Sequence, residues 1–185
     1  GDYTVDVAYI PDTGSVYSSK NESATFHVQN WNFTELQALI DEAIQSGQNV
    51  TLEHDYVAEE GETAITVDAP ITIDGNGYTI DANNQTGIFN ITSDNVVIED
   101  MDLTNAKDGA ITAYGNNITI SGVDISNSTG TAISITGNDT TVSDVTIEDN
   151  DGVGIDIDGN GASVEYVELD NITQTAIAIA GDDTS

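Results

Sequence analysis

"ITISGVDISN" occupies Ile118–Asn127. "VVIEDMDLTN" at Val96–Asn105 precedes it, and "TTVSDVTIED" at Thr140–Asp149 and "ASVEYVELDN" at Ala162–Asn171 follow. The echo has a fixed step of 22 residues. Ile98, Ile120, Val142 and Val164 keep that step, as do Met101, Val123, Val145 and Val167, and Leu103, Ile125, Ile147 and Leu169. A second set runs Phe89, Ile111, Ile133, Ile155 and Ile177, each followed two residues later by Ile91, Ala113, Ile135, Ile157 and Ile179. Gly115-Asn116, Gly137-Asn138 and Gly159-Asn160 recur with the same spacing. One period held in five registers marks a solenoid.

The local pattern selects the kind of solenoid. Apolar residues alternate with Thr, Ser and Asp, β-branched residues dominate, and Gly and Asn punctuate each phrase; this is strand periodicity. No helix fits between strands so short, so successive phrases must stack as parallel strands. The expected fold is an all-β, right-handed parallel β-helix of about five 22-residue coils, rising about 4.8 Å per coil. Each inward aliphatic side chain contributes about 1.5–3 kcal/mol on burial, so the coils hold one another together.

"FTELQALIDEAIQSG" (Phe33–Gly47) breaks the pattern. Leu36, Leu39, Ile40, Ala43 and Ile44 form a helical stripe, Thr34 and Gln37 suit a capping box, and Gly47 stops the helix. Such a helix would cover the open N-terminal end of the stack, whose bare edge would otherwise invite pairing. A lead-in strand around Val50–Leu52 follows. The organisation expected is therefore a strand pair over residues 1–31, the capping helix and lead-in over 32–62, and the β-helix over 63–185. "TAIAIAGDDTS" reads as half a coil, which suggests a segment of something longer or a last coil that meets a partner. In the first segment, "GDYTVDVAYI" and "ESATFHVQN" alternate as two strands joined by a polar loop with Pro11 and Gly14. Two strands alone are marginal in water, so they must pack on the solenoid or be completed by another chain.

The 185 residues suit one ordinary domain or a domain and a fragment, and 38% apolar content is enough for a core. Lys20 and Lys107 face 33 acids, giving a net charge of −31. That charge repels nucleic acid and anionic membrane, and no apolar run approaches the length of a membrane span. It suits hydration in a salty medium or cation binding. Cysteine is absent, so disulfides do not indicate a compartment.

Three constellations carry chemistry. Asn21, Asn32, Asn49, Asn84, Asn90, Asn117, Asn127, Asn138 and Asn171 each open an N-x-S/T sequon. Their number points to a secreted glycoprotein surface, although a repeat that reuses Asn at turns and Thr on strands also generates sequons. Asn105, Asn127 and Asn171 share one repeat position with Asp149, and Asn116, Asn138 and Asn160 share another. Stacked amides can hydrogen-bond along the axis as ladders, and an inward ladder residue cannot carry a glycan. Asn127 and Asn171 are accordingly assigned to the ladder, leaving Asn21, Asn32, Asn49, Asn84, Asn90, Asn117 and Asn138 for glycans. Last, Asp102 and Asp124 stack in a column whose mutual repulsion Ca²⁺ would relieve, and the "DNDG" turn adds Asp149 and Asp151. No calcium loop with its distal Glu is present, and Asp/Asn-Gly turns already account for that motif. Ca²⁺ is the one cofactor these residues suggest.

"FTELQALIDEA", "VTLEHDYV", "ITVDAPITIDGNGYTIDANNQ" and "FNITSDNVVIEDMDLTN" together resemble the start of the β-helical region in adhesin-like surface proteins of archaea. Their coils belong to the broad pectin-lyase-like group. "YTVDVAYI" and "ATFHV" resemble the last two strands of the bacterial-type Ig-like repeats that often adjoin such regions. The resemblance is specific over Phe33–Asn105 and generic beyond, and near absence of lysine sets this chain apart. It implies an extracellular, surface-displayed protein with no catalytic residues; the function expected is a non-enzymatic surface module whose partners are further copies of itself or surface polymers and glycans. A self-assembling filament or sheath subunit joined by strand complementation is the alternative. A polysaccharide-binding or -cleaving protein is a third. Lyases of the wider group use an arginine base, and this chain has no arginine. The hydrolases use clustered aspartates with a histidine, whereas His27 and His54 both precede the repeats.

Overall fold

The computed structural model describes residues 2–9, 20–27 and 31–183, which divide into two compact units. In the first, β1 (Asp2–Tyr9) pairs antiparallel with β2 (Lys20–His27), in register from Asp2 opposite His27 to Tyr9 opposite Lys20. The strand pair expected from the alternation is therefore present, while the loop containing Pro11 and Gly14 lies outside the described residues.

The second unit opens with α1 (Phe33–Ser46) and then winds through six turns. The first turn holds β3 (Val50–Thr51), β4 (Tyr56–Val57) and β5 (Ile65–Val67). The second holds β6 (Thr72–Asp81) and β7 (Phe89–Ile91), the third β8 (Val97–Thr104) and β9 (Ile111–Tyr114). The fourth holds β10 (Thr119–Ser126) and β11 (Ile133–Thr136), the fifth β12 (Thr141–Asn150) and β13 (Ile155–Asp158), the sixth β14 (Ser163–Ile172) and β15 (Ile177–Ala180). Long strands stack in parallel in the order β3-β6-β8-β10-β12-β14, with β4 also paired to β6, and short ones in the order β5-β7-β9-β11-β13-β15. The 22-residue step is the rung register itself: Ile98, Ile120 and Val142 are neighbours, as are Ile111, Ile133 and Ile155. The region read as a lead-in is already a coil, because Val50 pairs with Ile73 and Ile65 with Phe89. Those steps differ from 22, which hides the first coil from a search for the repeat.

All the repeating apolar positions from Phe89 to Ile157 point inward and are buried. Between them the chain turns at three columns of left-handed residues. Asp100, Gly122, Asp144 and Tyr166 bend each long strand; Asn83, Asn105, Asn127, Asp149 and Asn171 form a second corner; Asn95, Asn117, Asp139, Gly161 and Asp183 form a third. Asn, Asp and Gly tolerate positive φ where other residues meet Cβ clashes, so corner geometry explains much of the asparagine content. The Gly115, Gly137 and Gly159 column has a different cause. A methyl at Gly137 would overlap the carbonyl oxygen of Gly115 in the preceding coil.

Helix α1 packs on β3, β4 and β5 through Phe33, Leu36, Ile40 and Ala43, all buried. Leu39, expected in that stripe, is exposed, and Ile44 is only partly buried. Gly47 ends the helix with φ 68°, its N–H donating to Ile44 O and the Gln48 N–H to Ala43 O. The N-cap is Asn32 rather than Thr34: its side chain accepts the Glu35 N–H at 3.0 Å. Thr34 and Gln37 instead tie the helix to the first coil. Gln37 Oε1 accepts the Thr66 N–H at 2.7 Å and its Nε2 donates to Thr66 O at 3.0 Å, so one side-chain amide completes the edge of β5 as another strand would. Glu62 accepts the N–H groups of Phe33, Thr34 and Glu59 and the Thr34 hydroxyl. At the same end the Trp31 ring stacks on His54 with centroids 3.9 Å apart, which gives that histidine a packing role.

Candidate functional surfaces

Packing directs every aliphatic column inward, so the outward positions and corners are what a partner meets. One corner carries an amide ladder. Asn116 Nδ2 donates to Asp94 Oδ1 at 3.1 Å, and Asn138 Nδ2 to Asn116 Oδ1 at 3.1 Å. The asparagine side-chain oxygens also accept backbone N–H groups from the coil above: Asn138 N–H to Asn116, Asn160 N–H to Asn138, and Asp182 N–H to Asn160, at 2.8–2.9 Å. Asn116, Asn138 and Asn160 thus stand together as the spacing suggested, and the line extends to Asp94 and Asp182. Counting the same step outward from Asn116 leads to both aspartates: Asp94 Oδ1 does the work of an amide oxygen, and Asp182 joins through its backbone N–H. Beside it Asn117 Nδ2 donates to Asn95 Oδ1 at 2.8 Å.

The second proposed ladder is incomplete. Asn105 Nδ2 donates to Asp81 Oδ1 at 2.8 Å and Asn171 Nδ2 to Asp149 Oδ1 at 2.6 Å. Asn127, between them, is exposed and its side chain makes no such bond. Both columns lie on the surface, the second on left-handed corner residues and the first one residue before such a corner; neither runs inward as the sequence reading supposed. Of the remaining sequons, Asn84 sits exposed at φ 56°, Asn90 is half-buried on β7, and Asn49 accepts the Thr72 N–H at 3.2 Å. Asn32 is the helix cap, and the Asn21 side chain lies outside the described residues.

Asp102 and Asp124 are adjacent rungs of β8 and β10. They share an open groove of about 330 Å³ with Thr79, Thr146 and Glu148. Partial burial, then the charge of Asp124, raises the Asp102 pKa from its ordinary value, with Thr79 pulling the other way. Asp149 and Asp151 are not part of that groove. They bond instead to the next coil, Asp149 to Asn171 and Asp151 to the Thr173 hydroxyl. No three His, Cys, Asp or Glu side chains converge among the described residues, so the four aspartates are not gathered into one centre.

The sequence reading missed two features. Asn150 is fully buried, its Nδ2 donating to Gly130 O and Val153 O, while its Oδ1 has no partner. It occupies the column of Ala106 and Ser128, so only its repeat position marks it as internal. The second is an uncharged strip. Outward positions of β7, β9 and β11 are Asn90, Thr112, Tyr114, Ser134 and Thr136. Tyr114 is 60% exposed beside an open depression of about 270 Å³ lined by Thr86, Phe89, Asn90, Asp108 and Thr112.

Among the described residues no helix is long and apolar enough to cross a membrane. No curated protein matches the sequence. The family described as "right handed beta helix region" matches residues 63–184, which fixes the hand of the winding, and the chain belongs to that family.

Proposed function

We propose that the chain is a non-enzymatic, extracellular, cell-surface module of the adhesin-like kind, which binds surface polymers through a side face of its β-helix. The observation that carries this reading is the uncharged strip on β7, β9 and β11. In a molecule of net charge −31, these neighbouring strands present hydroxyls, an amide and one exposed tyrosine, with no carboxylate of their own. Hydroxyl and amide groups suit hydrogen bonding to sugar hydroxyls, and an aromatic face suits an apolar sugar face. The surrounding acids repel anionic polymers, so the favoured class is an uncharged glycan.

Affinity electrophoresis through gels containing neutral or acidic polysaccharides tests this. A neutral polymer should retard the protein, and Tyr114→Ala should abolish the retardation. Failure of every neutral polymer to retard it would overturn the reading, and new reducing ends would establish an enzyme instead.

The second reading is a filament or sheath subunit joined by strand complementation. It is favoured by β1 and β2, which among the described residues pair only with each other. Filaments seen by electron microscopy would support it, and monodisperse short rods would exclude it.

A further inference from the structure

We infer that Asn127 is an N-glycosylation site, and that the fold separates the sequons into those that accept a glycan and those that reject one. This rests on the extracellular reading above. Asn127-Ser128-Thr129 is a complete sequon. In the transfer, Asn127 Nδ2 attacks C1 of a lipid-diphosphate-linked oligosaccharide. The N–C1 bond forms, the C1–O bond to phosphate breaks, the lipid diphosphate leaves with the electron pair, and the amide gives up one proton.

Transfer must precede closure of this coil. In the folded chain Ser128 is buried, and the Thr129 hydroxyl donates to the Lys107 carbonyl. The fold therefore acts afterwards, by deciding whether a chain that already bears a glycan can finish stacking. At Asn127 it can. The residue is exposed at a corner with φ 51°, and its backbone N–H is held by Glu148 O at 3.2 Å. Its side chain is uncommitted for a local reason. In the coil below, the Asn105 amide is taken by Asp81, and in the coil above, Asp149 Oδ1 is taken by Asn171. Asn84, also exposed and left-handed with no side-chain bond, shares these properties.

At Asn138 and Asn171 the amide nitrogen lies 3.1 and 2.6 Å from an oxygen of the neighbouring coil. With one of its two N–H bonds replaced by a sugar, that nitrogen would crowd the oxygen stacked against it. The side-chain oxygen of Asn138 also carries the Asn160 N–H.

The whole chain, secreted from a eukaryotic host that supplies the lipid-linked donor, should be fractionated for folded monomer and its glycopeptides mapped by mass spectrometry. Asn127 should be occupied in the folded fraction, and Asn138 and Asn171 empty. Asn127→Gly keeps the left-handed corner and should lose one oligosaccharide with no change in melting temperature. An empty Asn127, or Asn138 and Asn171 occupied to the same level as Asn127, would overturn the inference. Because the host supplies the secretory route, failure here is separable from failure of the polymer-binding reading, which the gel assay decides.

Discussion

The first and sixth coils carry similar short strands and bury them differently. In β5 of the first coil, Ile65 and Val67 are 1% and 0% exposed; in β15 of the sixth, Ile177 and Ile179 are 40% and 36% exposed. Both strands alternate, and both have one stacked neighbour. What differs is the other side, where α1, its Leu36 and Ile40 buried, packs on β5 and completes its edge with the Gln37 amide. The phrase specifies a coil, and burial comes only when something lies on each side of it. A helix can substitute for a coil if it brings both an apolar face and a donor–acceptor pair.

The largest expected effect probes interior against end. Ile147→Ala, at a fully buried position of the fifth coil, should destabilise by about 2–5 kcal/mol. Leu169→Ala, the equivalent in the partly buried sixth, should cost about 1 kcal/mol, since less apolar surface is at stake. Denaturant melts of the pair measure the difference, and equal losses would dissolve the contrast between coil and end.

Next comes the helix cover. Burial disfavours ionisation of Glu62, but hydrogen bonds from Glu59, Thr34 and Phe33 outweigh it and hold its pKa below the ordinary glutamate value. Its contribution is therefore present above the unfolded-state pKa and lost as pH falls through the lower folded value. Glu62→Gln should lower the melting temperature at pH 7 and flatten this acid limb. Gln37→Ala should cost about 1 kcal/mol and speed amide exchange in β5.

Asp102 carries the opposite sign. Its folded pKa is raised, so its charged form opposes folding, and that penalty is relieved as pH falls through the folded value. Asp102→Asn should raise the melting temperature at neutral pH, and the gain should shrink as added salt screens Asp124. The smallest effect expected is deletion of residues 1–30, which form a separate compact unit. The remaining chain should keep its β-sheet circular dichroism and melting temperature.

The stack was legible because parallel stacking makes every coil reuse the same position for the same task; one period gave the core, the corners and the Asn116 ladder together. The first coil was hidden by its odd steps, caused partly by residues 75–77, which bulge between Asp74 and Tyr78 opposite β8. Thr34 and Gln37 looked like a local capping box because their partners, Glu62 and Thr66, lie in a coil 28–29 residues away. The freedom of Asn127 was equally unreadable. It depends on which neighbours Asp81 and Asp149 have already engaged, a competition the repeat does not encode. The neutral strip escaped notice because its members are interleaved with core residues and converge only across coils.

Amide hydrogen exchange resolved by coil tests the claim that neighbours on both sides stabilise each coil. The amides bonded between strands should be most protected in β9, β11 and β13, with β5 retaining protection beneath α1 and β15 exchanging much faster. Protection in β15 equal to that in β11, or β5 exchanging as fast as β15, would contradict the account.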